Sequence, residues 1–162
     1  MVWAAVSIHS KISLYFYDNN EIIDQHKYAD KCLTNFFNGF NNLKIKNKEQ
    51  YWFQHDNARP HVTTKVQGCL REQFDNRFIG VDVAHPWPAR FPDITICDCF
   101  LWGYLKHKVY AHKIENIEQL KQCIRLEVNK INRNKKLLKR VYQSLRSRID
   151  DCISNNGQYL NY

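Results

Sequence analysis

Tyr51-Trp52-Phe53-Gln54-His55-Asp56-Asn57-Ala58-Arg59-Pro60-His61 opens on an aromatic, apolar run and closes on a proline. Tyr51 to Gln54 reads as a short buried strand that ends at His55-Asp56. Pro60, with its φ already set for a first helical turn, opens a helix in which Val62, Val66, Cys69 and Leu70 share one face. A strand that feeds a helix is the repeating unit of α/β folds. Downstream, Phe78-Ile79 is a short strand candidate, followed by a loop whose Pro86, Pro88 and Pro92 no helix or central strand can cross. A helix restarts near Cys97 or Asp98 and runs through Leu101, Tyr104, Leu105 and Val109. Ile117, Leu120, Ile124, Val128 and Ile131, then Leu138, Val141, Leu145, Ile149 and Cys152, recur at helical spacing, which predicts two amphipathic helices ending near Asn156-Gly157. Upstream, the run Val2 to Val6 and the alternation Ile12, Leu14, Phe16 predict two strands joined around His9-Ser10-Lys11. After a turn at Asn19-Asn20, Tyr28, Cys32, Leu33, Phe36, Phe37 and Phe40 predict a helix with Asp24 near its start.

The chain has 162 residues, the size of one ordinary domain, and we expect a single core over 1–162, with the sheet and site region in 1–110 and basic helices in 111–162. A hydrophobic fraction of 44%, with nine Phe, nine Tyr and four Trp, excludes a disordered chain, and five Gly with four Pro exclude a linker or collagen composition. No apolar run reaches the roughly 18 residues of a membrane span, so the expectation is a soluble intracellular protein without a membrane partner. Cys32, Cys69, Cys97, Cys99, Cys123 and Cys152 are widely spread with no C-x-x-C, and read as reduced thiols without a zinc site. Lys and Arg number 24 against 16 acids, for a net charge of +8. Residues 103–148 alone hold 13 cations and three acids, a surplus of +10, which leaves the rest at −2. A basic face of that kind attracts polyanions, with nucleic acid first among them; a solvated helix surface explains it equally well.

Asp56 stands at the carboxyl end of a strand, the edge of an open α/β sheet where reacting groups collect. Asp98 stands near the start of a helix, where backbone N–H groups favour an anion. Two ionised carboxylates brought to about 4 Å repel by roughly 4 kcal/mol at an effective dielectric near 20, a cost that a hard divalent cation between them removes. Taken alone, each acid also has a plainer role as a helix cap, and His61 as a packed or hydrogen-bonded side chain.

The two segments together, in this order, resemble the catalytic domain of mariner-type transposases of the DDE/D superfamily. His55-Asp56-Asn57-Ala58-Arg59-Pro60-His61 is similar to the block holding that family's second catalytic Asp. His85-Pro86-Trp87-Pro88 through Phe91-Pro92-Asp93, with Asp98-Cys99-Phe100-Leu101-Trp102-Gly103-Tyr104-Leu105-Lys106, is similar to the block holding the third, and Val2-Trp3-Ala4-Ala5-Val6-Ser7 resembles a family strand. The resemblance implies a ribonuclease H-like mixed α/β sheet flanked by helices, with a helical C-terminal portion. It assigns Asp56 and Asp98 as catalytic metal ligands for Mg²⁺ or Mn²⁺, and Asp93 as a non-catalytic acid. The 41 residues between Asp56 and Asp98, somewhat more than in the best-known members, point to a divergent branch, and Ile96 in place of the usual Pro and Phe91 in place of a frequent Ser are departures in the approach to Asp98.

The family's first catalytic Asp lies on a strand before the one beginning at Val2, and Asp18, Glu21, Asp24 and Asp30 all fall too late to match it. The expectation is therefore an amino-terminally truncated catalytic domain that lacks the first, central strand, retains two of three acids and cleaves little DNA alone. The alternative is a catalytically dead nucleic-acid-binding or assembly module that uses Lys106, Lys108, Lys135, Lys136, Lys139 and Arg140. A structural remnant without a partner is the third reading. DNA is the expected partner, a homodimer the second, with no small-molecule substrate, and the resemblance implies a nuclear address.

Overall fold

The computed structural model describes residues 1–7, 12–18, 21–88 and 91–158. The turns expected at His9-Ser10-Lys11 and Asn19-Asn20, and Ala89-Arg90 of the proline loop, lie outside the described residues. The chain divides into two compact units: residues 1–3 with 15–90, and residues 4–14 with 91–162. The strands β1 (Val2–Ala5) and β2 (Ser13–Phe16) pair as a two-stranded sheet whose residues are shared between the units.

In the first unit the helical run predicted from Tyr28 to Phe40 is present, assembled from α1 (Gln25–Lys27), a π-helical turn (Tyr28–Leu33) and α2 (Thr34–Asn41). Asp24 caps it, accepting from the Lys27 N–H at 2.8 Å. The strand β3 (Phe53–Gln54) is shorter than the predicted run, and the helix after Pro60 begins later than expected. Pro60 sits in a 3₁₀ turn (Arg59–Val62), and α3 (Thr64–Phe74) starts behind its own cap, Thr63. The reason is local: an extended Thr63 interrupts the turn that proline initiates, and its hydroxyl takes the Val66 N–H. Parallel to β3 lies β4 (Phe78–Gly80), with Phe53 opposite Phe78, and β5 (His85–Pro86) follows on the far side of β4. A proline strand is tolerated there because β5 is an edge of the described sheet. Among the described residues no ladder joins β1 to β3. Tyr28, Cys32, Leu33, Val66, Leu70 and Phe74 are the center of this unit's core, closed by Phe40, Phe53 and Phe78. Their period of 3.6 on the helices and two on the strands is what puts them on the same side.

In the second unit a π-helical turn (Cys97–Leu101) leads into α4 (Trp102–Val109), followed by α5 (Ile117–Arg133) and α6 (Lys135–Ser154). Leu101, Leu105, Val128, Ile131 and Leu138 form its core together with Ala4 and Ile12. Asn116 caps α5 through the Gln119 N–H, while the Gln119 side chain accepts from the Glu115 N–H. Asn134 closes α5 and opens α6, its side chain accepting from Leu137. Asn132 binds the N–H of Ile12 at 2.7 Å and so ties the start of β2 to α5. Glu127 is a departure from the apolar stripe, a buried carboxylate whose partner is Lys130 at 2.5 Å. Gly157, at φ 79°, ends α6 where a side chain would be strained. None of the six cysteines forms a disulfide, and no helix among the described residues is long and apolar enough to cross a membrane.

Candidate active site

Asp56 lies two residues past the end of β3, in the loop between the strand's carboxyl end and the 3₁₀ turn of Pro60. Parallel pairing fixes this edge: the His55 N–H donates to Ile79 at 2.8 Å, the last ladder bond before the chain leaves the sheet. The Asp56 carboxylate does not cap α3. Its Oδ1 accepts from the Ala58 N–H at 3.0 Å, turning the loop locally, and from His61 Nδ1 at 2.5 Å. The side chain is half exposed. The hydrogen bond from His61, aided by the imidazole's charge when protonated and by the Ala58 N–H, outweighs partial burial and holds the Asp56 carboxyl down to about 2. At neutral pH it is an anion.

Behind it stand groups that composition did not single out. His55 is 6% exposed, and burial, with His61 adding to it, pushes its pKa well below the imidazole range, so the ring is neutral. Its Nε2 lies 2.5 Å from the Tyr28 hydroxyl, which also receives the Trp3 indole N–H at 3.2 Å. The His55 and His61 rings stack at 4.0 Å between centroids with 8° between planes, and Tyr28 lies 4.4 Å from His61. A small cavity of about 10 Å³, room for one water, is lined by His55, Asp56, His61 and Gln67 among others. The inward position of His55 was legible in the two-residue alternation with Phe53, which a reading of the segment as a strand end passed over. Tyr28 gave no such signal: its helical spacing marks it as core, which it also is.

Asp98 is exposed in the π-helical turn that opens the α4 region, and its N–H donates to Thr95 at 2.9 Å. It belongs to the second unit, Asp56 to the first. Lys106 and Lys108 are exposed on α4, and Lys135, Lys136, Lys139 and Arg140 are exposed on the first two turns of α6. Carboxylate oxygens are the donors that hard divalent cations take, so the Asp56 side chain suits Mg²⁺ or Mn²⁺ in donor type and ionisation. Among the described residues no cluster of three or more His, Cys, Asp or Glu gathers around one point.

A short parallel sheet with helices in one unit and a helical second unit make this a mixed α/β, ribonuclease H-like fold, the class expected from sequence. The catalytic domain of Mos1 mariner transposase has the same fold. The catalytic domain of Mos1 transposase solved with raltegravir and manganese superposes with a TM-score of 0.76 at 17% identity, covering 99% of this chain and 76% of that one. The same domain with raltegravir and magnesium gives 0.75, again at 17% identity and the same coverage. The catalytic domain of Mos1 mariner transposase gives 0.73 at 17% identity, covering 99% and 75%. No protein-family model matches the chain, and no curated protein matches it either.

Proposed function

We propose that residues 1–162 are a catalytic domain of a mariner-type DNA transposase, with Asp56 and Asp98 as two of the three carboxylates that such a site needs. One observation carries the reading: an ionised, half-exposed Asp56 at the carboxyl end of a parallel strand, inside the block His55-Asp56-Asn57-Ala58-Arg59-Pro60-His61, in a fold that matches a transposase catalytic domain over 99% of the chain. With Mg²⁺ or Mn²⁺ held by these acids, the site would supply Lewis-acid activation of a water or DNA 3′ hydroxyl and relief of charge on the leaving oxygen. Asp56 contributes a fixed, ionised carboxylate, Asp98 a second one, and the basic helices a surface that steers and holds phosphates.

Two acids hold a divalent ion poorly, so residues 1–162 by themselves are expected to show little or no strand cleavage. A plasmid-nicking assay with Mn²⁺ checks this: metal-dependent turnover that disappears in Asp56→Ala would overturn the inactivity. Binding without cleavage is the second reading, favoured by the exposed Lys106 and Lys108 of α4 and Lys135, Lys136, Lys139 and Arg140 of α6. It predicts DNA affinity that survives Asp56→Ala. The resemblance to the family implies a nuclear address, and a homodimer is the assembly to look for by light scattering.

A further inference from the structure

We propose that His61 is a positioning residue for the Asp56 carboxylate, and that the array Trp3, Tyr28, His55 exists to hold the His61 ring in place; the inference rests on Asp56 being a cation ligand. The donor inventory gives the two outer bonds of the array a direction. An indole N–H only donates, so Tyr28 accepts from Trp3 and has one hydroxyl hydrogen left to give. Either that hydrogen or the ring's own Nε2–H fills the 2.5 Å between the Tyr28 hydroxyl and His55 Nε2, and both arrangements anchor the ring at that edge. His55, fixed by a buried hydrogen bond at one edge, presents a flat face on which His61 stacks almost parallel. An ionised carboxylate can only accept, so His61 Nδ1 carries the hydrogen that reaches Asp56 Oδ1.

The consequence falls on the carboxylate. Oδ1 receives two donors, Ala58 N–H and His61 Nδ1–H, which together fix both torsions of the Asp56 side chain. That leaves Oδ2 as the oxygen to face a cation, one-pronged and with its direction already set. Partners that orient a ligand in this way typically change metal affinity 10- to 100-fold when removed.

The test uses Mn²⁺ alone as the probe and the broadening of the amide NMR signals of residues 56–59 and 61 as the readout. In the wild-type chain these signals should broaden on Mn²⁺ titration, and Asp56→Asn should abolish the effect. His61→Phe keeps a ring to stack on His55 but removes the donor; it should need about tenfold more Mn²⁺ for the same broadening. His61→Asn, whose amide N–H can reach the place of Nδ1, should return to within about twofold of wild type. Tyr28→Phe, which keeps the buried ring and removes only the hydroxyl, should lie in between. If His61→Phe and Tyr28→Phe bind Mn²⁺ as tightly as the wild type while Asp56→Asn does not, positioning by His61 is wrong and Asp56 stands as a ligand. If broadening is absent in the wild type, or survives Asp56→Asn, Asp56 is no ligand and the proposal falls with that reading.

Discussion

His55 and Asp56 are neighbours in sequence with opposite electrostatic fates, and both leave a mark on acid stability. His55 is buried and neutral in the folded chain but titrates near 6.5 when unfolded. Below that pH the unfolded state binds a proton that the folded state refuses, so stability present above pH 6.5 is lost as pH falls. We expect a slope of one proton, about 1.4 kcal/mol per pH unit, below pH 6.5, and His55→Gln should remove it in melting curves taken from pH 7.5 to 5. Asp56 acts in a lower window: its carboxyl is depressed from 3.8 to about 2, so its contribution is complete above 3.8 and disappears as pH falls through 2. Because the side chain is half exposed, solvent screening reduces that contribution to about 1 kcal/mol at most. Asp56→Asn should flatten the curve between pH 4 and 2. The identity of Asp56 as a candidate was readable from its block, because a strand end followed by proline leaves few places for an acid to go. The company it keeps was only partly readable: His55 and His61 share its block, but Trp3 and Tyr28 come from two other segments, and only tertiary packing brings the four rings together.

At the scale of elements, what could be read ahead depended on whether the forces were local. The C-terminal helices follow from period alone: residues at steps of three and four gave the faces that bury Val128, Ile131 and Leu138. The π-helical turns at Tyr28–Leu33 and Cys97–Leu101 have no periodic signature over so few residues, and the boundary at Thr63 turns on one extended residue. Glu127 breaks the apolar stripe because one turn on, Lys130 supplies the charge that its burial requires. Asn134 is the hinge of the helical pair, ending one element and capping the next with a side-chain bond of 3.0 Å. Asn134→Ala should cost about 1 kcal/mol of stability, read as a lowered urea midpoint at unchanged slope. Ile131, fully buried, should cost more: Ile131→Ala removes three carbons from a packed site and is expected to lose about 2–4 kcal/mol.

Over the whole molecule the charge is divided rather than diluted, with +10 in residues 103–148 and −2 elsewhere. A uniformly basic chain would bind polyanions anywhere; this division confines the attraction to the helical unit that carries α4, α5 and α6. Of its cations, Lys121 and Lys130 already face acids on their own helix, so they offer less net charge to a ligand. Lys135, Lys136, Lys139 and Arg140 are exposed within six consecutive positions, on the first two turns of α6. If they contact phosphates, each contact releases condensed counterions, and the logarithm of affinity falls with the logarithm of salt by about 0.9 per phosphate neutralised on duplex DNA. Replacing all four by alanine should therefore weaken DNA binding and reduce that slope by about 3.6, whereas Asp56→Ala should leave the slope as it is. Fluorescence anisotropy on an unspecific duplex between 50 and 200 mM salt measures both. Equal slopes for the wild type and the fourfold variant would mean that the charge of α6 serves solvation alone, and the DNA surface would have to be sought elsewhere.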